Sequence, residues 1–132
     1  MASRWTHITM TVSSIERSID FYTSFCELVV LRDRRLEGGG TVWLGKNPSA
    51  GKYPTFVLVI SEGEVECRID HLGFQCDAKE EVNRIAERAR EVGILINQPT
   101  DSGGSVGYWT MIRDPDNHIV EFTFGQPLEG LK

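Results

Sequence analysis

The chain repeats itself, and that duplication limits its fold more than any single motif does. "HITMTVSSIE" begins at His7 and "HLGFQCDAKE" begins at His71. Each segment opens a six-residue strand with a histidine. A helix N-cap candidate, Ser13 or Asp77, stands six positions later, and three further on a glutamate, Glu16 or Glu80, completes a capping box. A helix follows each time. Its apolar stripe is Ile15, Ile19, Tyr22 and Phe25 or Cys26 in the first copy. In the second it is Val82, Ile85, Ala89 and Val92, ending at Gly93. Three strand-like stretches come after each helix, at roughly 27–33, 41–45 and 55–61, then roughly 94–97, 106–113 and 118–124. "EGGG", "KNPSAGKYP", "PTDSGG" and "DPDN" separate them. The plan is βαβββ twice, an α+β chain forming one domain, with modules of about 5–62 and about 67–125 joined through "SEGEVE".

Side chains alternate faces along a strand, so the duplication also sorts residues. Ile8, Met10 and Val12 point one way, and His7, Thr9 and Thr11 the other. Leu72, Phe74 and Cys76 share an apolar face, leaving His71, Gly73 and Gln75 opposite. In "RDPDNHIVEF" and the residues after it, Val120, Phe122 and Phe124 form the apolar set. Glu121 lies on the other side with Ile119 and Thr123. A polar outer sheet face accounts for this parity as simply as a site does. A carboxylate among Ile119, Val120 and Phe122 nevertheless needs a partner, because burying a charge costs roughly several kcal/mol otherwise. Two imidazoles and one carboxylate on the same side of a sheet form the 2-His-1-carboxylate set that binds a divalent first-row metal with open positions. His7, His71 and Glu121 are therefore the expected ligands.

Composition narrows the partners. The 132 residues are 40% hydrophobic and 25% charged, the mix of an ordinary soluble globular domain. A net charge of -5 with no basic cluster argues against nucleic acid and anionic membranes. "MASRWTHITM" has no signal-peptide pattern, and no apolar run nears the roughly 20 residues of a membrane span, so the cytosol is the default compartment. Cys26, Cys67 and Cys76 include no CxxC pair, which suggests neither a disulfide framework nor a zinc knuckle.

"HITMTVSSIERSIDFYTSF", "IDHLGFQCD" and "RDPDNHIVEF" resemble, in order, the three motifs of the vicinal oxygen chelate superfamily. That superfamily includes glyoxalase I, extradiol dioxygenases, fosfomycin-resistance enzymes, methylmalonyl-CoA epimerase and bleomycin-binding proteins. The resemblance runs from about His7 to Phe124. It implies paired βαβββ modules whose sheets curl around a metal cup, often exchanged or paired across a dimer, so a homodimer is expected. His7, His71 and Glu121 fall on the family's metal ligands. The bleomycin-binding branch lacks such ligands, so the complete set implies an enzyme.

The departures concern the reaction. Glyoxalase I-like members, and the epimerase, carry a further Glu or Gln on the last strand of the first module. Here that strand is "TFVLVIS", and Val57 or Val59 fills the position. Fosfomycin-resistance thiol transferases share the ligand set and Thr9, but their basic and tyrosine substrate contacts would fall near Asp101 and Met111. Extradiol enzymes commonly carry a tyrosine where this chain has Met111. The organoarsenical-cleaving branch has adjacent cysteines where this chain reads "SGGSVGY". With three ligands and more open positions, an extradiol-type oxygenase using Fe(II) or Mn(II) ranks first. A glyoxalase I-type lyase using Ni(II) or Zn(II) ranks second, and a non-catalytic small-molecule or antibiotic binder third. Thr9, Trp43, Tyr108 and Met111 are the expected substrate contacts. Trp43 fits a core or cup-wall position better than a substrate-stacking one, and Tyr108 is favoured over Trp109 as the cup residue. His118, of opposite parity to Glu121, reads as an exposed turn residue. The glycines at 38–40 and 103–104 lack the strand-to-helix setting of a phosphate cradle and read as flaps.

Overall fold

A computed structural model describes residues 5–51 and 56–126. The "KYPT" part of the first module's long connector and the C-terminal tail lie outside the described residues. The chain divides into two compact units, residues 1–67 and 68–132.

In the first unit, β1 (His7–Val12) leads into α1 (Ile15–Ser24), followed by β2 (Val29–Asp33), β3 (Thr41–Gly45) and β4 (Val57–Glu62). A short 3-10 turn, Arg34–Glu37, joins β2 to β3. The sheet order is β1-β4-β3-β2, with β1 parallel to β4 and the other pairs antiparallel. The second unit repeats this plan: β5 (Leu72–Gln75), α2 (Lys79–Glu91), β6 (Leu95–Asp101), β7 (Tyr108–Arg113) and β8 (Ile119–Phe124). Its order is β5-β8-β7-β6, with β5 parallel to β8. The two-module α+β architecture is thus present, with the first and last strands of each module side by side at the sheet's parallel edge.

Parity places the core. Met10, Val12, Val42, Leu44, Leu58 and Ile60 turn to α1, meeting Ile15, Phe21 and Tyr22. In the second unit Val120, Phe122, Ile112 and Cys76 are buried with Val82, Ala86 and Ala89 of α2. Val92, expected on that helix's apolar stripe, is 64% exposed, because α2 ends at Glu91 and the chain turns at Gly93.

Both helix starts lie one residue later than expected. Ser14, not Ser13, caps α1, its hydroxyl accepting from the Arg17 N–H, while Ser13 accepts from the Arg17 guanidinium. Glu16 pairs with Arg35 instead of closing a capping box. Ala78 occupies the cap of α2, and Glu81, not Glu80, reaches back to the Asp77 N–H at 2.7 Å. Two adjacent hydroxyls, and two adjacent glutamates, leave a single-residue slip open to tertiary choice.

β6 also outruns its expected end, continuing through Pro99 to Asp101 with two register irregularities. It is an edge strand, where proline's missing N–H costs no ladder bond. The following turn depends on Gly107. Its φ is +79°, and a Cβ there would stand 2.4 Å from the Phe124 carbonyl oxygen. Gly107→Ala is expected to cost about 1–3 kcal/mol, read as a lowered urea midpoint with an unchanged m-value. No helix among the described residues is long and apolar enough to cross a membrane.

Candidate metal and substrate site

His71 is the residue just before β5, and Glu121 is the third residue of β8. The parallel register sets Gly73 directly opposite Glu121. Glycine leaves the space above it open, so the carboxylate leans over the β5 backbone; a Cβ at Gly73 would be only 3.7 Å from Oε2. The His71 imidazole, two residues along on the same face, reaches that space, with Nε2 3.6 Å from Glu121 Oε2. The carboxylate is 12% exposed and the imidazole 39%. At ordinary bond lengths, a nitrogen and an oxygen held by one first-row ion lie about 3.0–3.4 Å apart. The observed pair is within a few tenths of an ångström of that spacing, so the two groups fit a shared divalent cation.

The second ring nitrogen sharpens the fit. His71 Nδ1 meets Asp70 Oδ1 at 2.6 Å. A carboxylate on Nδ1 fixes the tautomer with the proton there and leaves Nε2 as a lone-pair donor. In the first unit Thr6 Oγ1 engages His7 Nδ1 at 2.9 Å, so that ring also keeps Nε2 for another partner. In each module the residue immediately preceding the histidine orients it. Asp70→Ala is expected to weaken divalent-metal affinity about tenfold, measured by titration with Mn(II).

Among the described residues, no group of three or more His, Cys, Asp or Glu side chains gathers to hold a metal ion. Within the second unit His71 and Glu121 come together; His7 belongs to the first unit. There it shares a sheet face with Thr9, and the register Thr9–Val59–Trp43–Arg32 runs across all four strands. Trp43 accordingly stands on the open face, with the Arg32 guanidinium 5.5 Å from its ring centre. Arg32 in turn makes a bidentate pair with Glu37. That hydrogen-bonded guanidinium holds the Glu37 carboxyl below the usual carboxylate range, and Arg35 does the same to Asp33. Val57 and Val59 occupy the face of His7, so no ligating side chain stands at those two positions.

Tyr108 is not on the open face of its sheet. It shares the helix-facing side with the buried Thr110 and Ile112, its hydroxyl bonded to Asn83 of α2 and the Lys79 ammonium over its ring. Trp109 takes the opposite side, beside Thr123, with its indole N–H donating to Ser102 at 2.9 Å. Met111 lies directly across from Glu121. Arg113 carried the missing signal: a charged residue at the strand end cannot face the core, so Ile112, Thr110 and Tyr108 must. Reading parity backward from Arg113 selects Trp109.

His118 differs as well. Expected to be an exposed turn residue, it is fully buried. The Asp114 carboxylate accepts from the N–H groups of Asp116 and His118, curling the turn so that the imidazole is carried inward. Its Nδ1 then accepts from the Ile69 N–H at 3.3 Å.

A family model described as the glyoxalase/bleomycin resistance protein/dioxygenase superfamily matches residues 4–122. An uncharacterised protein of Pseudomonas aeruginosa is 32% identical over 97% of this chain and 93% of its own length. A lactoylglutathione lyase of Arabidopsis thaliana is 25% identical over 89% of this chain, which spans 43% of that larger protein. Among solved structures, the fosfomycin resistance protein FosX of Listeria monocytogenes superposes with a TM-score of 0.74 at 23% identity, covering 99% of this chain and all of that one. FosX has also been solved in complex with Mn(II) and sulfate.

Proposed function

The chain belongs to the glyoxalase/bleomycin resistance protein/dioxygenase superfamily, and from that membership we propose that it is a divalent-metal-dependent enzyme acting on a small oxygen-bearing molecule. The observation that carries this reading is the His71–Glu121 pair at 3.6 Å, with Asp70 holding the imidazole's other nitrogen. His7 is the third ligand, in a homodimer of the kind the family's module pairing implies. Mn(II) or Fe(II) suits one carboxylate and two imidazoles. When bound, the ion supplies Lewis acidity to two adjacent substrate oxygens.

The chain's own groups then divide the work. Glu121 lends the site its negative charge, and the pair's partial burial strengthens attraction for a cation over that available in open water. Thr9 donates a hydroxyl hydrogen bond to a substrate oxygen. Trp43 on one open face, and Met111 with Trp109 on the other, bind the carbon skeleton and exclude water. Trp109 here takes the role first assigned to Tyr108.

Extradiol-type cleavage of a catechol is the first reading, because Val57 and Val59 on the face of His7 supply no fourth ligand. Glyoxalase-type isomerisation is the second, favoured by the similarity to a lactoylglutathione lyase. The test begins with the metal content of protein purified without an affinity tag, alongside His71→Ala. Bound metal that disappears in the variant supports the enzyme, and no metal in either supports a non-catalytic binder. A catechol panel under air, set against a hemithioacetal, separates the two reactions. Catechol turnover undiminished without oxygen would exclude the oxygenase.

A further inference from the structure

Resting on the metal-site reading above, we infer that His118 is a positioning residue for the His71–Glu121 pair. The segment that carries His71 precedes β5, and the β5–β8 ladder pairs residues only from Leu72 onward. Something other than the ladder must therefore orient it. The Ile69 N–H, two residues before His71, donates to Nδ1 of His118, three residues before Glu121. One imidazole thus ties together the approaches to both ligands.

The anchor itself is rigid. His118 is fully buried. Its backbone N–H donates to Asp114 Oδ1 at 2.8 Å, and its carbonyl accepts from the Asp114 N–H at 2.9 Å. Asp114 is itself buried, and Asn117, between them, sits in the left-handed region at φ +65°. A ring fixed by its own turn and bonded to a backbone 49 positions away sets the angle at which His71 meets the carboxylate. As an acceptor, Nδ1 carries no proton, so His118 is held in one tautomer.

Asparagine and glutamine separate the two roles. The side-chain oxygen of asparagine reaches the level of Nδ1, whereas that of glutamine reaches the level of Nε2. The experiment compares wild type, His118→Asn and His118→Gln as full chains. It reads Mn(II) affinity by titration, and exchange of the Ile69 amide by NMR in metal-free protein. His118→Asn is expected to stay within about threefold of wild type in affinity, with Ile69 protected. His118→Gln is expected to lose about tenfold or more in Mn(II) affinity, as other supports of metal ligands do, with Ile69 exchanging faster. Equal Mn(II) affinity in His118→Gln and wild type would overturn the inference and leave the metal site standing. So would equal losses in both variants. No Mn(II) binding by wild type would instead overturn the metal-site reading, and the inference with it.

Discussion

Replacing Glu121 by glutamine is expected to weaken Mn(II) binding on the order of a hundredfold or more, while leaving the metal-free protein as stable as wild type or more so. The two effects have one cause. Glu121 occupies the centre of a sheet face, 12% exposed, across from Met111 and over Gly73. In metal-free protein its nearby partner is His71, which offers charge only when protonated. A half-buried carboxylate with so little return is a net cost to folding, and a neutral amide of the same size removes it. With a cation present the balance reverses, since the carboxylate is the only anionic group of the three. At Mn(II) a hundredfold above its Kd, wild type gains about 2.7 kcal/mol, equivalent to about 10 °C in Tm for a domain of this size. That shift should be absent in Glu121→Gln. Melting curves with and without Mn(II) check both halves. An undiminished shift in the variant would remove Glu121 from the ligand set.

Truncating Phe122 to alanine is expected to cost about 3–5 kcal/mol, a large share of the total stability of a domain this size. Phe122 is 2% exposed on the central strand β8, opposite Phe74 on one side and Thr110 on the other. Its ring stacks on that of Phe74 with centroids 5.7 Å apart. Alanine leaves a cavity bounded by sheet backbone on one side and α2 on the other, where little can move in to fill it. Because Phe122 adjoins Glu121, the second unit should lose metal affinity along with stability. Urea denaturation followed by tryptophan fluorescence measures the loss; a change under about 1 kcal/mol would mean that α2 does not depend on this ring.

Much of the architecture was legible because its signals are local. A period of two in the strands and of 3.6 in the helices is written into neighbouring residues, so the element order and the core-facing residues of β1 and β8 follow from the chain alone. The duplication added that His7 and His71 stand at equivalent strand starts, although β5 is shorter than expected and begins one residue after His71. Where both alternatives were amphipathic, the local signal ran out. Tyr108 and Trp109 each have an apolar ring and a polar tip, so the pair alone did not decide; parity counted back from Arg113 does, and it agrees with the packing of β7 on α2, which sends the tyrosine to the helix and the tryptophan to the open face.

The polar contacts that make the site lay beyond sequence reading for a different reason. The turn at "DPDN" carries the following histidine inward, and the partner its ring meets there is a backbone amide 49 residues away, a meeting that no periodicity encodes. The same holds for the Asp70–His71–Glu121 chain: residue order supplies its first link, while the β5–β8 register, which begins at Leu72, places only the carboxylate end of its second. The sequence by itself determined two βαβββ modules, and put His71 and Glu121 on one side of their sheet. Only the tertiary structure decided how close they come, which ring nitrogen faces the carboxylate and what holds them there. Alternation fixes a face, whereas distance and orientation are set by partners remote along the chain.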